Sequence, residues 1–198
     1  MIKAIIFDWG GVITQNGKLV PFAKKYSRKY GKDSEEFHSE MRKIWEKAKI
    51  GKKESKLFWK NIAKYLGISQ EIFEQDLKNF FGFREKIIPL LYKLKEKYQL
   101  AILSNQIKDW FESETQKQGL KKIFNKIIVS YEVGFSKPDP RIFKKTLQIL
   151  GLKPEECIFV DDSEKNIPFP KKLGFKTIHF KNIKQLKKEL RKLGVKIC

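Results

Sequence analysis

At 198 residues the chain suits one domain, or one domain with an inserted subdomain, able to bury roughly 70% of the surface it exposes when unfolded. Apolar residues make up 41%, in runs too short to span a bilayer, and Asp8 interrupts the opening apolar segment too early for a secretory signal, so the chain reads as cytoplasmic with no membrane partner. Lys and Arg number 43 against 23 Asp and Glu, a net charge of +20 that attracts anions; without zinc-finger spacing, a helix-turn-helix signature or an aromatic RNA-binding motif, the scattered lysines read as solvated helix faces rather than a nucleic-acid footprint.

Ile2 to Phe7 is a mostly apolar run closed by Asp8 and then by Gly10 and Gly11, the pattern of a buried parallel strand with a carboxylate at its carboxyl end. Open α/β sheets hold ligands outside that end, and the glycines leave backbone free for close approach; a turn-capping Asp8 is the alternative. Gln15-Asn16-Gly17-Lys18 carries an Asn-Gly signal, which predicts a small hairpin or flap beside Asp8. From Pro21 to about Phe83 the spacing is helical: Phe22, Tyr26 and Tyr30, then Phe37, Met41, Ile44, Trp45 and Ala48, then Leu57, Phe58, Ile62, Tyr65 and Leu66, then Ile72, Phe73, Leu77 and Phe80. Asp33 and Ser69 are candidate N-caps. No strand pattern interrupts this stretch, which predicts a compact all-helical insert with its aromatic stripes as core.

From Arg84 strands and helices alternate. A helix over Pro89 to Tyr98 leads to a strand, Leu100 to Leu103, ending in Ser104-Asn105; a helix from Ile107 to about Gly119 leads to a third strand, Lys126 to Ser130. In the next loop Lys137 precedes a proline, Asp139 is placed to cap a helix and Pro140 to open it, with Gly151 at its end. Cys157 to Val160 is a fourth strand, ending in Asp161-Asp162-Ser163, and Thr177 to Phe180 a fifth. Neither Cys157 nor the terminal Cys198 belongs to a metal-spaced pair. Between Lys171 and Lys196 ten basic residues accompany one acid, Glu189; regular spacing of Ile183, Leu186, Leu190 and Leu193 makes this the wet face of a packed helix rather than an RNA or membrane patch. The predicted architecture is α/β, a doubly wound parallel sheet formed by residues 1–14 and 84–198, with residues 15–83 as the helical insert and its flap.

In a parallel sheet Asp8, Ser104-Asn105 and Asp161-Asp162 emerge on one edge, and a neighbouring loop delivers Lys137. The rim combines a carboxylate nucleophile, a hydroxyl donor, a fixed cation and two further carboxylates. Hard oxygen ligands without His or Cys suit Mg²⁺ bound partly through water and a substrate phosphate. Asp8 is then a candidate to attack phosphorus and form an aspartyl-phosphate, with Mg²⁺, Ser104 and Lys137 balancing charge on the transferring group.

Phe7-Asp8-Trp9-Gly10-Gly11-Val12, Leu103-Ser104-Asn105, Lys137-Pro138-Asp139-Pro140 and Phe159-Val160-Asp161-Asp162-Ser163-Glu164-Lys165-Asn166 resemble, in order and spacing, the four motifs of the haloacid dehalogenase-like (HAD) hydrolase superfamily. The resemblance covers essentially the whole chain. The insert is similar to the type 1 cap, and Gly51-Lys52-Lys53-Glu54-Ser55 leading to Phe58-Trp59 resembles the branch that includes the epoxide hydrolase N-terminal phosphatase and sugar-phosphate phosphatases. The resemblance implies a Rossmann-like core, with Asp8 as nucleophile and Mg²⁺ ligand beside the Gly10 carbonyl and Asp162, and Asp161 as a second or outer ligand. It implies Ser104 on the phosphoryl oxygen, with Asn105 and Gly11 in the substrate site, and Lys137 joining Asp8 to the phosphate. Asn166, where many members carry another Asp, orients a metal-bound water or the lysine, or simply caps a helical turn.

One position departs from the pattern. Two residues after the nucleophile, phosphatases of the superfamily usually carry an Asp as general acid and base; here it is Gly10, which can offer a carbonyl to a cation but cannot move a proton, assistance typically worth about 10²- to 10⁴-fold. The leading expectation is a Mg²⁺-dependent phosphatase of a small phosphorylated metabolite, its specificity set by the insert, where Lys52 and Lys53 are candidate contacts. A 2-haloacid dehalogenase-type hydrolase is the second reading; such members lack that Asp too, but need no metal and generally lack paired acids like Asp161 and Asp162. A weakly active or non-catalytic member binding a phosphorylated ligand, nucleic acid or protein is the third. A phosphonate hydrolase needs a particular cap lysine, whose motif is not matched at Lys47, Lys49, Lys52 or Lys53. Nothing in the sequence indicates an oligomeric state.

Overall fold

In the computed structural model, which describes residues 1–117 and 119–197, the apolar runs form one five-stranded parallel sheet in the order β3-β2-β1-β4-β5. Its strands are β1 (Ala4–Phe7), β2 (Gln99–Ser104), β3 (Lys126–Val129), β4 (Cys157–Asp161) and β5 (Lys176–His179). Between β1 and β2 lie α1 (Leu19–Tyr26), α2 (Ser34–Ala48), α3 (Lys56–Leu66), α4 (Gln70–Phe81) and α5 (Ile88–Lys95). Then follow α6 (Lys108–Lys117), α7 (Ser130–Val133), α8 (Pro140–Leu150), α9 (Pro168–Leu173) and α10 (Ile183–Lys192).

Central β1 sets Phe7 opposite Ile102 of β2 and Val160 of β4, so the residues that follow these strands meet at one edge. Side chains alternate across the sheet. Ile5, Phe7, Ile102 and Val160 share one apolar layer with Leu91 and Leu94 of α5 and Leu186 and Leu190 of α10; Ala4, Ile6, Leu103 and Phe159 share the other with Ile142 and Phe143 of α8. Because both faces are covered, the strands read as unbroken apolar runs. Cys157 lies in the second layer, where burial pushes its thiol up to about 12 and leaves it unreactive. Helices α1–α4 gather on a third cluster, including Phe22, Phe37, Phe58, Phe73 and Leu77, which Ile107 and Trp110 complete from the sheet side; the aromatic stripes pack on this core, with Trp45 only partly buried.

Capping residues sit where local chemistry places them. Asp33 accepts from the N–H groups of Glu35 and Glu36, both at 2.9 Å, Ser69 from Ile72 at 3.4 Å, and Asp139 from Arg141 at 2.9 Å ahead of Pro140. Gly151 ends α8 with φ 65°, a conformation open to glycine. The Lys137–Pro138 peptide is cis.

The hairpin expected at Asn16-Gly17 is not formed. Thr14 pairs with Phe83 in a single antiparallel bridge, the Gln15 N–H donates to Phe81 and Gly82 carbonyls at 2.9 and 2.8 Å, and Asn16 Nδ2 donates to the Phe80 carbonyl at 2.6 Å. The outgoing segment finds its partner in the returning chain, 68 residues on for the Gln15–Phe83 contact, and a local turn signal cannot report such pairing. Further shifts are small: β3 stops at Val129 so that Ser130 opens α7, and β5 runs from Lys176 to His179. Gln118, near the expected helix end, and Cys198 lie outside the described residues. On α10, Lys184, Lys188, Arg191 and Lys192 are exposed while Leu186 and Leu190 are buried. Among the described residues no helix is long and apolar enough to cross a membrane.

Candidate active site

Asp8 leaves β1 at the carboxyl edge, its N–H donating to the Val160 carbonyl at 2.8 Å, and its Oδ1 accepts from the Trp9 N–H at 2.6 Å. The turn from Trp9 to Ile13 is closed by the Thr14 N–H on the Trp9 carbonyl, 3.0 Å, and anchored by the buried Trp9 ring against Phe111, centroids 5.4 Å apart. Gly11 takes φ 74° and donates its N–H to Thr14 Oγ1 at 3.1 Å. A Cβ on Gly11 would lie 2.5 Å from Asp162 Oδ2, so the missing side chain is what lets that carboxylate close on the turn.

Lys137 is 2% exposed. Its ammonium donates to Asp8 Oδ1 at 2.8 Å, Asp161 Oδ2 at 2.7 Å and the Leu103 carbonyl at 2.8 Å, which matches its three N–H donors to three acceptors. Lys137 therefore acts on anything bound beside Asp8 through its charge, not through a spare hydrogen bond. Asn105, expected as a substrate contact, lines the cavity and also grips the Lys137 backbone, Oδ1 accepting from its N–H and Nδ2 donating to its carbonyl, both at 2.8 Å. Asp161 is fully buried and also accepts from the Ser163 N–H at 2.8 Å and from Asn166 Nδ2 at 3.0 and 3.1 Å. Asp162 is the member of the acid pair that lines the open cavity.

The electrostatics follow from this crowding. Burial pushes the Asp8 carboxyl up, to about 8; the Lys137 charge pulls it down, while Asp161 and Asp162 add to the rise. Burial also raises Asp162, against the opposing pull of Lys18, whose ammonium is 3.7 Å away. For Lys137 burial works downward, and the charges of Asp161 and Asp8 outweigh it and hold the ammonium above its usual value.

Asp8, Asp161 and Asp162 each place a carboxylate oxygen within 4.8 Å of the others, so buried Lys137, with exposed Lys18 at the edge, faces three acids. Among the described residues Asn166 Oδ1 is buried without a hydrogen-bond partner, an arrangement that ordinarily costs about 1–3 kcal/mol unless something else supplies the contact. An all-oxygen donor set, acids in excess of the lysines beside them and an orphaned amide oxygen fit a hard divalent cation.

The site opens into a cavity of about 390 Å³ that Asp8, Gly10, Asn105, Lys137, Asp162 and Asn166 line from the sheet side. Ser104, 1% exposed, stands behind that lining with Gly11 and Asp161. The opposite wall was not anticipated from the sequence: His38, Arg42, Trp45 and Glu46 of α2 and Lys49 just past its end, with Lys18 and Lys165 at the rim. Those α2 positions recur at helical spacing, but spacing does not say whether a polar face meets water or a site. Lys47, Lys52 and Lys53 are exposed and do not line it. The loop bearing Lys52 and Lys53 is instead docked on the sheet side through Ser55 Oγ, which donates to Asp109 Oδ2 at 2.6 Å, and through Ser130 Oγ, which donates to the Lys49 carbonyl.

Gly10 faces Gly17. A Cβ on Gly10 would lie 3.1 Å from Gly17 Cα, and one on Gly17 only 2.6 Å from Gly10 C and 2.7 Å from Gly11 N. Backbone rests on backbone, and the linker occupies the space an acid at position 10 would claim. Gly17→Ala is expected to destabilise the protein by about 1–3 kcal/mol through overpacking, read as a lower denaturant midpoint; an unchanged midpoint would show that the linker yields freely.

Known proteins resemble the chain to different degrees. The sequence profile of the haloacid dehalogenase-like hydrolases matches residues 2–174. A D-ribitol-5-phosphate phosphatase of Bacteroides thetaiotaomicron is 27% identical over 203 residues, spanning 96% of this chain and 97% of that protein. The crystal structure of a HAD family enzyme from the same organism, in complex with magnesium and inorganic phosphate, superposes with a TM-score of 0.75 at 25% identity, over 94% of this chain and 99% of that one. L-2-haloacid dehalogenase from Xanthobacter autotrophicus, with chloropropionic acid covalently bound, superposes with a TM-score of 0.62 at 21% identity, over 99% of this chain and 85% of that one, a likeness of fold alone.

Proposed function

This chain belongs to the haloacid dehalogenase-like hydrolases, and from that footing we propose that it is a Mg²⁺-dependent phosphatase of small phosphorylated metabolites acting through an aspartyl-phosphate on Asp8. The observation that carries the reading is the meeting of Asp8, Asp162 and Lys137 at one cavity, with the orphaned Asn166 oxygen beside them. Asp8, the Gly10 carbonyl and Asp162 would hold Mg²⁺, with Asp161 and Asn166 behind them. When bound, the ion supplies charge neutralisation for the phosphoryl group.

An Asp8 carboxylate oxygen attacks phosphorus, forming an O–P bond as the ester P–O bond breaks, and the departing oxygen takes a proton from water because Gly10 has none to give. Water then attacks the phosphorus of the aspartyl-phosphate as the Asp8 O–P bond breaks, releasing inorganic phosphate and restoring the carboxylate, and the proton the water loses goes to solvent, where it offsets the hydroxide left by the first step. Lys137 offsets the charge that accumulates on the transferring group, and Asn105 at the end of β2 walls the phosphate side, with Ser104 and the Gly11 backbone behind it. Residues 15–83 act as the cap over the core of 1–14 and 84–198, and the α2 face reads the leaving group.

The near full-length likeness to a D-ribitol-5-phosphate phosphatase supports phosphate over halide. So does the acid cluster, which without a cation would repel a haloacid. The deciding experiment measures phosphate release from a panel of polyol, sugar and carboxylic-acid phosphates with Mg²⁺ and after chelation. Release with Mg²⁺ that falls at least about 10²-fold on chelation is expected. Halide release from 2-chloropropionate without metal, and no phosphate release, would overturn the assignment.

A further inference from the structure

Arg84 stands where the chain returns from α4 toward the sheet, and it is half-buried. Its Nε donates to the Val12 carbonyl at 3.0 Å, and its Nη2 to the carbonyls of Gly11, Thr14 and Gln15 at 3.1, 3.1 and 3.0 Å. Its backbone N–H takes the remaining carbonyl of the run, that of Ile13, at 2.9 Å. The consecutive carbonyls of residues 11–15 thus all end on one residue. The guanidinium also lies over the Phe180 ring, Cζ 5.4 Å from its centroid.

We propose that Arg84 is the positioning residue of the site. Its fork sets the backbone that follows Asp8, and through it the Gly10 carbonyl and the gap at Gly11 into which Asp162 closes. The proposal rests on the functional reading above for its consequence, but its geometry is independent of it. A lysine cannot replace the fork, because an ammonium is a point donor on a flexible stem whereas guanidinium presents several N–H groups in a fixed plane.

The test compares wild type with Arg84→Lys by Mn²⁺ binding, followed by electron paramagnetic resonance, and by amide exchange of the metal-free protein, with circular dichroism as the check on folding. Arg84→Lys is expected to keep the native spectrum, to bind Mn²⁺ about 10- to 100-fold more weakly, and to exchange faster only over residues 9–16. On a working substrate kcat should drop with KM within about twofold, the split expected when an interaction is lost in the transition state alone. A folded Arg84→Lys that binds Mn²⁺ and exchanges like wild type would overturn the proposal. Should Arg84→Lys not fold, Phe180→Leu takes its place: withdrawing the ring should weaken Mn²⁺ binding about two- to fivefold, and no change would count against Arg84. Exchange is read without metal, so it decides on Arg84 even if wild type binds no Mn²⁺, a result that would instead defeat the phosphatase assignment.

Discussion

Asp8→Asn is expected to remove phosphate release by on the order of 10⁴-fold or more while the protein stays folded. The amide keeps the shape of the carboxylate, and its oxygen can still accept from the Trp9 N–H and from Lys137, which reach Asp8 Oδ1 at 2.6 and 2.8 Å. What it lacks is the charge that makes a carboxylate attack phosphorus. Because burial pushes the Asp8 carboxyl up to about 8, the fold near neutral pH already favours an uncharged group there, so the denaturant midpoint should hold or rise slightly. Inorganic phosphate should still bind, since the amide adds no negative charge to its site. Turnover equal to wild type would show that the nucleophile lies elsewhere.

Lys137→Met is expected to cost both activity and stability. The phosphoryl group loses its fixed cation, a change of roughly 10²- to 10³-fold in kcat for a lost electrostatic donor. Asp8, Asp161 and the Leu103 carbonyl lose the donor that joins them, and breaking a buried pair in this way costs about 3–5 kcal/mol when the acids are ionised. The pH dependence gives the signature. With Asp8 at about 8 in the folded protein and about 4 when unfolded, the metal-free fold holds a proton that the unfolded chain has released, so stability falls as pH rises between those values and levels off above them. Removing Lys137 takes away a lowering influence on Asp8, so the decline should extend past pH 8. Urea midpoints from pH 5 to 9 test this, and added Mg²⁺ should flatten the slope by binding the ionised site. A variant whose midpoint matches wild type across that range would contradict the account.

Much of the site's cast was visible before its geometry. Asp8 and Asp161-Asp162 follow apolar runs that could only be buried strands, and parallel pairing brings such ends to one edge whatever the loops do. Residue type alone did not divide the acid pair. Asp161 saturates its oxygens on Lys137, Asn166 and Ser163, and Asp162 lines the cavity; two adjacent aspartates carry no local mark of which is which. Nor could spacing show that Asn105 holds Lys137, since that contact spans 32 residues.

The sequence by itself determined the parallel sheet, the helical insert, the Asp33, Ser69 and Asp139 caps and the polar ends of the strands, because periodicity and capping act between near neighbours in the chain. Only the tertiary structure decided that Gly17 presses on Gly10, that Arg84 collects the carbonyls of residues 11–15 and that α2 roofs the cavity. Those outcomes depend on which segments pack together after tens of intervening residues, and the energy that selects them is shared across the whole core rather than written in any local run.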